Sequence, residues 1–277
     1  MNLLIALITG MIAGAHSATW GMYKDAIYEG FSCRKYFRSI VLSGVIAVVI
    51  KQVTDLEVTQ ASGILILYGL TYVIERTVLE FYKTFLREED QSKYFIPMQF
   101  HVGGKIVESP LKRRLAGAVC ISGVLLAFGG IACLQRMNLS LPGVVTVLLI
   151  GSIGGWVSAF GGAWKDAPIE GFETFKFFRS PAIALFYALL IACFTHNYLY
   201  ISLCGIGYTV GTIETYKTFF FPNKPRGKFA GKEIRYPEML EKRKRFVPLY
   251  VAIWIAVITT YMIAFIRPHE GLIRYSF

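Results

Sequence analysis

Charge is scarce in this chain, and paired cysteine is missing. Charged residues make up 17% of its 277 positions and hydrophobic ones 55%. Soluble domains carry about a quarter charged residues, so this composition points away from a water-soluble globule. The apolar residues come in long blocks, as in a polytopic membrane protein. The five cysteines, Cys33, Cys120, Cys133, Cys193 and Cys204, form no C-x-x-C pair. Most lie in apolar blocks and read as small hydrophobes, not as a disulfide framework or a zinc site. No P-loop, nucleophile elbow or H-E-x-x-H occurs, which removes the commonest nucleotide-hydrolase, acyl-transfer and metalloprotease signatures. The histidines His16, His101, His196 and His269 are scattered; only His16 falls deep within an apolar block, and it reads as a polar packing residue. The opening MNLLIALITG has neither a basic leader nor an A-x-A site, so it is expected to be a first membrane helix and not a cleaved signal.

What is present is a set of apolar blocks. A helix needs about 20 such residues to cross a bilayer. Residues 2–23, 61–81, 115–134, 144–164, 199–221 and 247–265 qualify, and 40–53 and 181–196 are shorter. Together they predict eight spans, two of them short. The connections 24–38, 83–114, 165–179 and 217–245 hold nearly all the lysine and arginine, Lys224 and Arg226 included. The opposite side holds only Lys51, Arg136, Arg267 and Arg274. Basic loops stay cytoplasmic, so both termini are expected outside, in a membrane of the bacterial plasma-membrane type. The net charge of +11 follows from this topology and does not call for nucleic acid.

The chain repeats itself. KDAIYEGFSCRKYFRS (24–39) and KDAPIEGFETFKFFRS (165–180) share Lys, Asp, Ala, Glu, Gly, Phe, Lys, Phe, Arg and Ser in register. Upstream, Gly10, Gly14, Ser17 and Ala18 match Gly151, Gly155, Ser158 and Ala159; downstream, EFYKTF (80–85) matches ETYKTF (214–219). Each copy then carries a hairpin-like loop, turning at Gly103–Gly104 and at Ala230–Gly231. The expected fold is therefore an all-α integral membrane protein of two parallel four-helix repeats, residues 1–137 and 138–277, with small cytoplasmic β-hairpins. The Gly-x-x-x-Gly spacing of the first and fifth helices predicts close packing, with the two near the axis that relates the halves.

The repeated charges supply the candidate site: Lys24, Asp25, Glu29, Lys35, Arg38, Glu80 and Lys83, with Lys165, Asp166, Glu170, Lys176, Arg179, Glu214 and Lys217. Asp25/Glu29 and Asp166/Glu170 are four apart and share a helix face. Gly30 and Gly171 are placed to end those helices. Ser39 and Ser180 read as N-caps of the short helices, whose free N–H groups beside Arg38 and Arg179 would attract an anion. Deeper in, Glu75 and Arg76 have no counterpart in the second half; Arg76 could pair with Glu80, four residues on.

Three functions fit these features. The first is a carrier or channel for an anionic or phosphate-bearing solute or lipid, at a cytoplasmic-facing site between the repeats. The second is a transferase acting on lipid phosphates, with Mg²⁺ held by Asp25, Glu29, Asp166 and Glu170. In spacing alone this layout is similar to that of intramembrane prenyltransferases, which carry Asn-Asp-x-x-Asp-like motifs where this chain has Asp-x-x-x-Glu preceded by lysine. The third is a non-catalytic scaffold, as a homo-oligomer or within a larger membrane complex, docking partners or anionic lipid headgroups through its basic loops.

Overall fold

The computed structural model describes residues 1–222, 227–267 and 270–274; Lys224, Arg226 and His269 lie outside them. The chain is almost entirely helical. The long helices are α1 (Asn2–Glu29), α2 (Cys33–Val53), α3 (Ala61–Phe81), α4 (Pro110–Arg136), α6 (Ile153–Glu170), α7 (Thr174–Ala192), α8 (Tyr198–Thr215) and α10 (Val247–Ile266). Two short helices join them, α5 (Gly143–Ile150) and α9 (Met239–Lys242). Counting α5–α6 and α9–α10 each as one run, six helices are long and apolar enough to cross a membrane: α1, α2, α4, α5–α6, α7 and α9–α10. Their outward faces are studded with exposed apolar side chains such as Val41, Val45, Val119, Leu126, Phe186 and Ile258, a surface that only lipid can cover cheaply.

The two remaining long helices, α3 and α8, form the centre. At least half of the residues in each are buried, and they pack on each other. They cross where Gly69 meets Cys204 and Tyr208 and where a Cβ on Gly207 would lie 2.3 Å from the Gly69 carbonyl oxygen. Side chains of α8 then donate to the α3 backbone: Cys204 Sγ to the Ile66 oxygen (3.3 Å) and Tyr208 Oη to the Leu65 oxygen (2.8 Å). Without water to take them, polar groups at this depth must be satisfied by a neighbouring helix.

The glycine seams lie elsewhere than between the first and fifth helices. A Cβ on Gly14 would meet the Ser39 oxygen at 2.5 Å; on Gly155 it would meet Pro181 Cα at 2.4 Å and the Ser180 oxygen at 2.7 Å. Gly10 abuts Ser43 and Ala47, and Gly151 abuts Ala188. Each seam therefore joins a helical run to the one that follows it, α1 to α2 and α5–α6 to α7.

The expected short helices are not short. α2 has 21 residues and α7 has 19. The N-caps sit upstream of Ser39 and Ser180: Ser32 accepts from the Lys35 N–H, and Glu173 precedes α7. Ser39 and Ser180 lie inside their helices, so the anion site at a free helix start beside Arg38 and Arg179 is not formed. Gly30 and Gly171 do end α1 and α6, at φ 74° and 85° with ψ near 170°, a region open almost only to glycine.

The first hairpin forms: β1 (His101–Val102) pairs antiparallel with β2 (Lys105–Ile106) around Gly103–Gly104, both at positive φ. The second does not. Among the described residues, the segment after α8 has a 3₁₀ turn at Gly227–Phe229 and no strand. That segment packs over the end of α1, where Phe229 and Met239, joined by Tyr94 from the loop after α3, cluster with Ala26, Ile27 and Tyr28. The hairpin sits on the end of α6, where Phe100 stacks on Trp164 and Trp164 Nε1 donates to the His101 carbonyl (3.2 Å).

Candidate functional site

The repeated charges gather at the end of the bundle where α1, α3, α6 and α8 terminate. α3 and α8 each finish in a π-helical turn, Tyr82–Leu86 and Tyr216–Phe220. Such turns splay the last carbonyls and recur at functional positions. Each turn carries a lysine that reaches back to the helix: Lys83 to Glu80 (3.0 Å) and Lys217 to Glu214 (3.6 Å).

The two carboxylates are also approached from the other part of the chain. Lys24 on α1 donates to Glu214 on α8 at 3.4 Å. Lys165 on α6 faces Glu80 on α3 within electrostatic range. Among the described residues, no carboxylate oxygen lies within 4 Å of the Lys165 ammonium; its one close polar neighbour is Met98 Sδ at 3.5 Å. Arg76 completes the group, donating to Glu80 (2.5 Å) and to Ser17 Oγ (3.4 Å) while lying over the Trp20 ring. Five cations, Lys24, Arg76, Lys83, Lys165 and Lys217, thus surround two acids, Glu80 and Glu214.

Around this inner ring, each Asp-x-x-x-Glu pair is clamped by one ammonium group. Lys228 bonds both Asp25 (2.8 Å) and Glu29 (3.3 Å). Lys176 bonds both Asp166 (2.7 Å) and Glu170 (3.3 Å). Lys35 adds a second contact to Glu29 at 3.0 Å, and Tyr94 Oη donates to the same residue (3.2 Å). Each outer acid therefore has an ammonium partner, although Asp25 Oδ1 is buried without one among the described residues. Among the described residues no cluster of three His, Cys, Asp or Glu has the makings of a metal site.

Of the predicted residues, Lys24, Glu80, Lys83, Lys165, Glu214 and Lys217 come together in the inner ring. Asp25, Glu29, Lys35, Asp166, Glu170 and Lys176 form the two clamps. Arg179 lines a pocket beside the second clamp with Asp166, Lys176, Glu214 and Lys217. Arg38 is exposed and stands apart. Sequence reasoning saw Lys228 only as a topology signal, because nothing in the chain announces that a loop some 200 residues from Asp25 folds back over α1. It also missed His101, whose ring is buried. Burial, and secondly the Lys165 ammonium, hold its pKa below the ordinary histidine value.

Below the ring, in the first part of the chain, runs a buried polar array. Ser17 Oγ donates to Glu75 (3.1 Å), Trp20 Nε1 to Tyr72 Oη (2.8 Å), and Tyr68 Oη pairs with His16 Nδ1 (2.8 Å). His16 is also stacked on Tyr250, the packing role expected of it.

Comparison of the chain with protein-family models, curated proteins and solved structures finds no match.

Proposed function

We propose that the chain is an eight-span membrane protein of two parallel four-helix units that binds, and carries, an anionic or phosphate-bearing solute or lipid in the charged ring at its cytoplasmic end. In this reading α3 and α8 span as well, shielded from lipid by the other helices and so free to be less apolar. The observation that supports the site is Lys165: Lys24, Arg76, Lys83 and Lys217 each reach Glu80 or Glu214, whereas the Lys165 ammonium lies desolvated beside them with, among the described residues, only Met98 Sδ in bonding distance. Cations this crowded and desolvated repel one another unless an anion joins them. A phosphate would sit between Lys165, Lys83 and Lys24, competing with Glu214 for Lys24. Because Lys24–Glu214 joins the two units, anion binding loosens a contact between them, which couples occupancy to movement.

The clamps weigh against the Mg²⁺-dependent transferase. Lys228 and Lys176 stand between the paired acids, where a divalent cation would have to lie.

Thermal unfolding of the purified full chain, with inorganic phosphate and then an alkyl phosphate added, tests the site. A bound ligand raises the midpoint in proportion to its saturation. Replacing one charge-assisted contact, as in Lys165→Gln, should weaken the affinity about tenfold. If no anion shifts the midpoint, or if Lys165→Gln shifts it as wild type does, the ring is not an anion site.

A further inference from the structure

Glu75 belongs to neither the ring nor the clamps. It sits on α3, fully buried. It comes five residues before Glu80, so it lies about 7–8 Å further along the helix from the ring. Ser17 Oγ of α1 donates to its Oε2 (3.1 Å), and among the described residues its Oε1 has no partner. One turn away on the same face, the buried Thr71 hydroxyl has none either. A carboxylate left half-satisfied at membrane depth is costly, and such groups mark proton and ion pathways.

The second unit manages without this acid. Thr209 stands at the position of Glu75, and Val210 at that of Arg76. The Thr209 hydroxyl is satisfied within its own helix, by the Gly205 oxygen (2.7 Å). A central helix of this kind therefore packs with no acid at that turn.

Glu75 is linked to the ring. Arg76 donates to Glu80 (2.5 Å) and to Ser17 Oγ (3.4 Å). Ser17 thus accepts from Arg76 and directs its own hydrogen at Glu75. One guanidinium serves two acids, Glu80 directly and Glu75 through the hydroxyl. From α8, Glu214 also acts on Arg76. From α1 comes His16, next to Ser17, with Nε2 lacking a partner among the described residues, and α10 lays Tyr250 on its ring. The charged residues of α2, Arg34, Lys35, Arg38 and Lys51, stay in its first two turns and its last. A divalent metal ion takes about six oxygen ligands or more, which Glu75 and Thr71 do not supply, and Arg76 would repel it. A proton needs only one acceptor.

We infer that Glu75 takes up a proton from the cytoplasmic side together with the anion in the ring, which makes the carrier proton-coupled. The proton adds to Oε1 and turns the carboxylate into a neutral acid; no other bond forms or breaks. An anion beside Lys83 and Lys24 draws on the positive field that Arg76 extends to Glu75. The carboxylate is then less compensated, and the proton removes its charge. Linkage is reciprocal, so the proton favours the anion as much as the anion favours the proton. The inference rests on the proposed anion site and adds the ion coupled to it.

Calorimetry of inorganic phosphate binding to the full chain in detergent, repeated in buffers of different ionisation heat, counts the protons taken up per anion. The ionisation of phosphate itself is common to all variants. Wild type should take up more than Glu75→Gln, by up to about one proton per phosphate. Glu75→Thr, which places the second unit's residue in the first, should match Glu75→Gln and serves if glutamine disturbs folding. Equal counts in wild type and both variants overturn the coupling, and uptake that persists in all three then belongs to another group such as His16. Infrared absorption by a protonated carboxyl group needs no anion. Its band should grow in wild type as the pH is lowered and be absent from Glu75→Gln. A band that is missing, or that does not change with pH, overturns the proton site whatever phosphate does. If phosphate fails to bind, the anion site and the coupling both fall, and a band that grows in wild type alone leaves Glu75 standing as a proton site.

Discussion

His101 shows how a single side chain reports on this end of the molecule. Its ring is buried, both ring nitrogens lack a partner, and Lys165 and Asp166 are the charged groups that face it. Burial first and Lys165 second keep its folded-state pKa below the unfolded value of about 6.5. The sign follows from linkage. Below the unfolded pKa, the unfolded chain takes up a proton that the folded chain resists, so this contribution to stability is complete above about pH 6.5 and is lost as pH falls below it. His101→Phe removes the titration without breaking a side-chain hydrogen bond and keeps the backbone carbonyl that Trp164 uses. Unfolding midpoints measured between about pH 7 and pH 5 should fall in wild type and fall less in His101→Phe. An identical slope in both would remove His101 from the titration. At this scale the sequence was informative about which charges matter and silent about their partners. It showed Asp25, Glu29, Asp166 and Glu170 in register, since register needs no three-dimensional knowledge. It could not show that Lys228 clamps the first pair while Lys176 clamps the second, because the first partner arrives from a distant loop.

At the scale of helices, the small-residue pattern was legible and its partner was not. Gly10, Gly14, Gly151 and Gly155 mark faces that need a close neighbour, but a spacing names a face and not the helix it meets. The neighbours turn out to be α2 and α7. Helix starts were misplaced for a related reason. Hydropathy marks where lipid begins, at Ile40 and Pro181, whereas the helices begin at Cys33 and Thr174, among aromatic and basic residues at the interface. The seams make a direct prediction. At Gly14 or Gly155 an added Cβ meets backbone atoms under 3 Å away; at Gly21 or Gly161 it meets nothing. Gly14→Ala and Gly155→Ala should each lower stability by about 1–3 kcal/mol, an overpacking cost. Gly21→Ala and Gly161→Ala should be neutral or stabilising by up to about 1 kcal/mol, because alanine is the better helix former. Denaturation in mixed micelles reads both, and equal effects at all four positions would mean that the seams are not close-packed.

At the scale of the whole molecule, the two parts of the chain grip each other by exchange. The hairpin that follows α3 rests on α6, the segment that follows α8 rests on α1, and α10 packs against α3. Such an exchange explains why the ring draws a lysine and a carboxylate from different parts of the chain. It also bears on the number of spans. α3 and α8 are central and buried, and they are not among the six helices apolar enough to cross by composition. If they cross all the same, successive loops alternate sides. Thr59, Asn138 and His196 would then lie outside, with Lys105 and Lys244 inside; Thr59, Lys105, Asn138, His196 and Lys244 are all exposed. Cysteine placed singly at these positions, after serine replaces the exposed Cys33, Cys120 and Cys133, can be probed with a membrane-impermeant maleimide on intact cells. The first three should label directly, and Lys105→Cys and Lys244→Cys only after permeabilisation. The pair that decides is Thr59 and Lys105, because α3 is the only long helix between them. If both label from the same side, α3 does not span, the basic loops no longer share a face, and an inward-facing ring assembled from α1, α3, α6 and α8 could not exist.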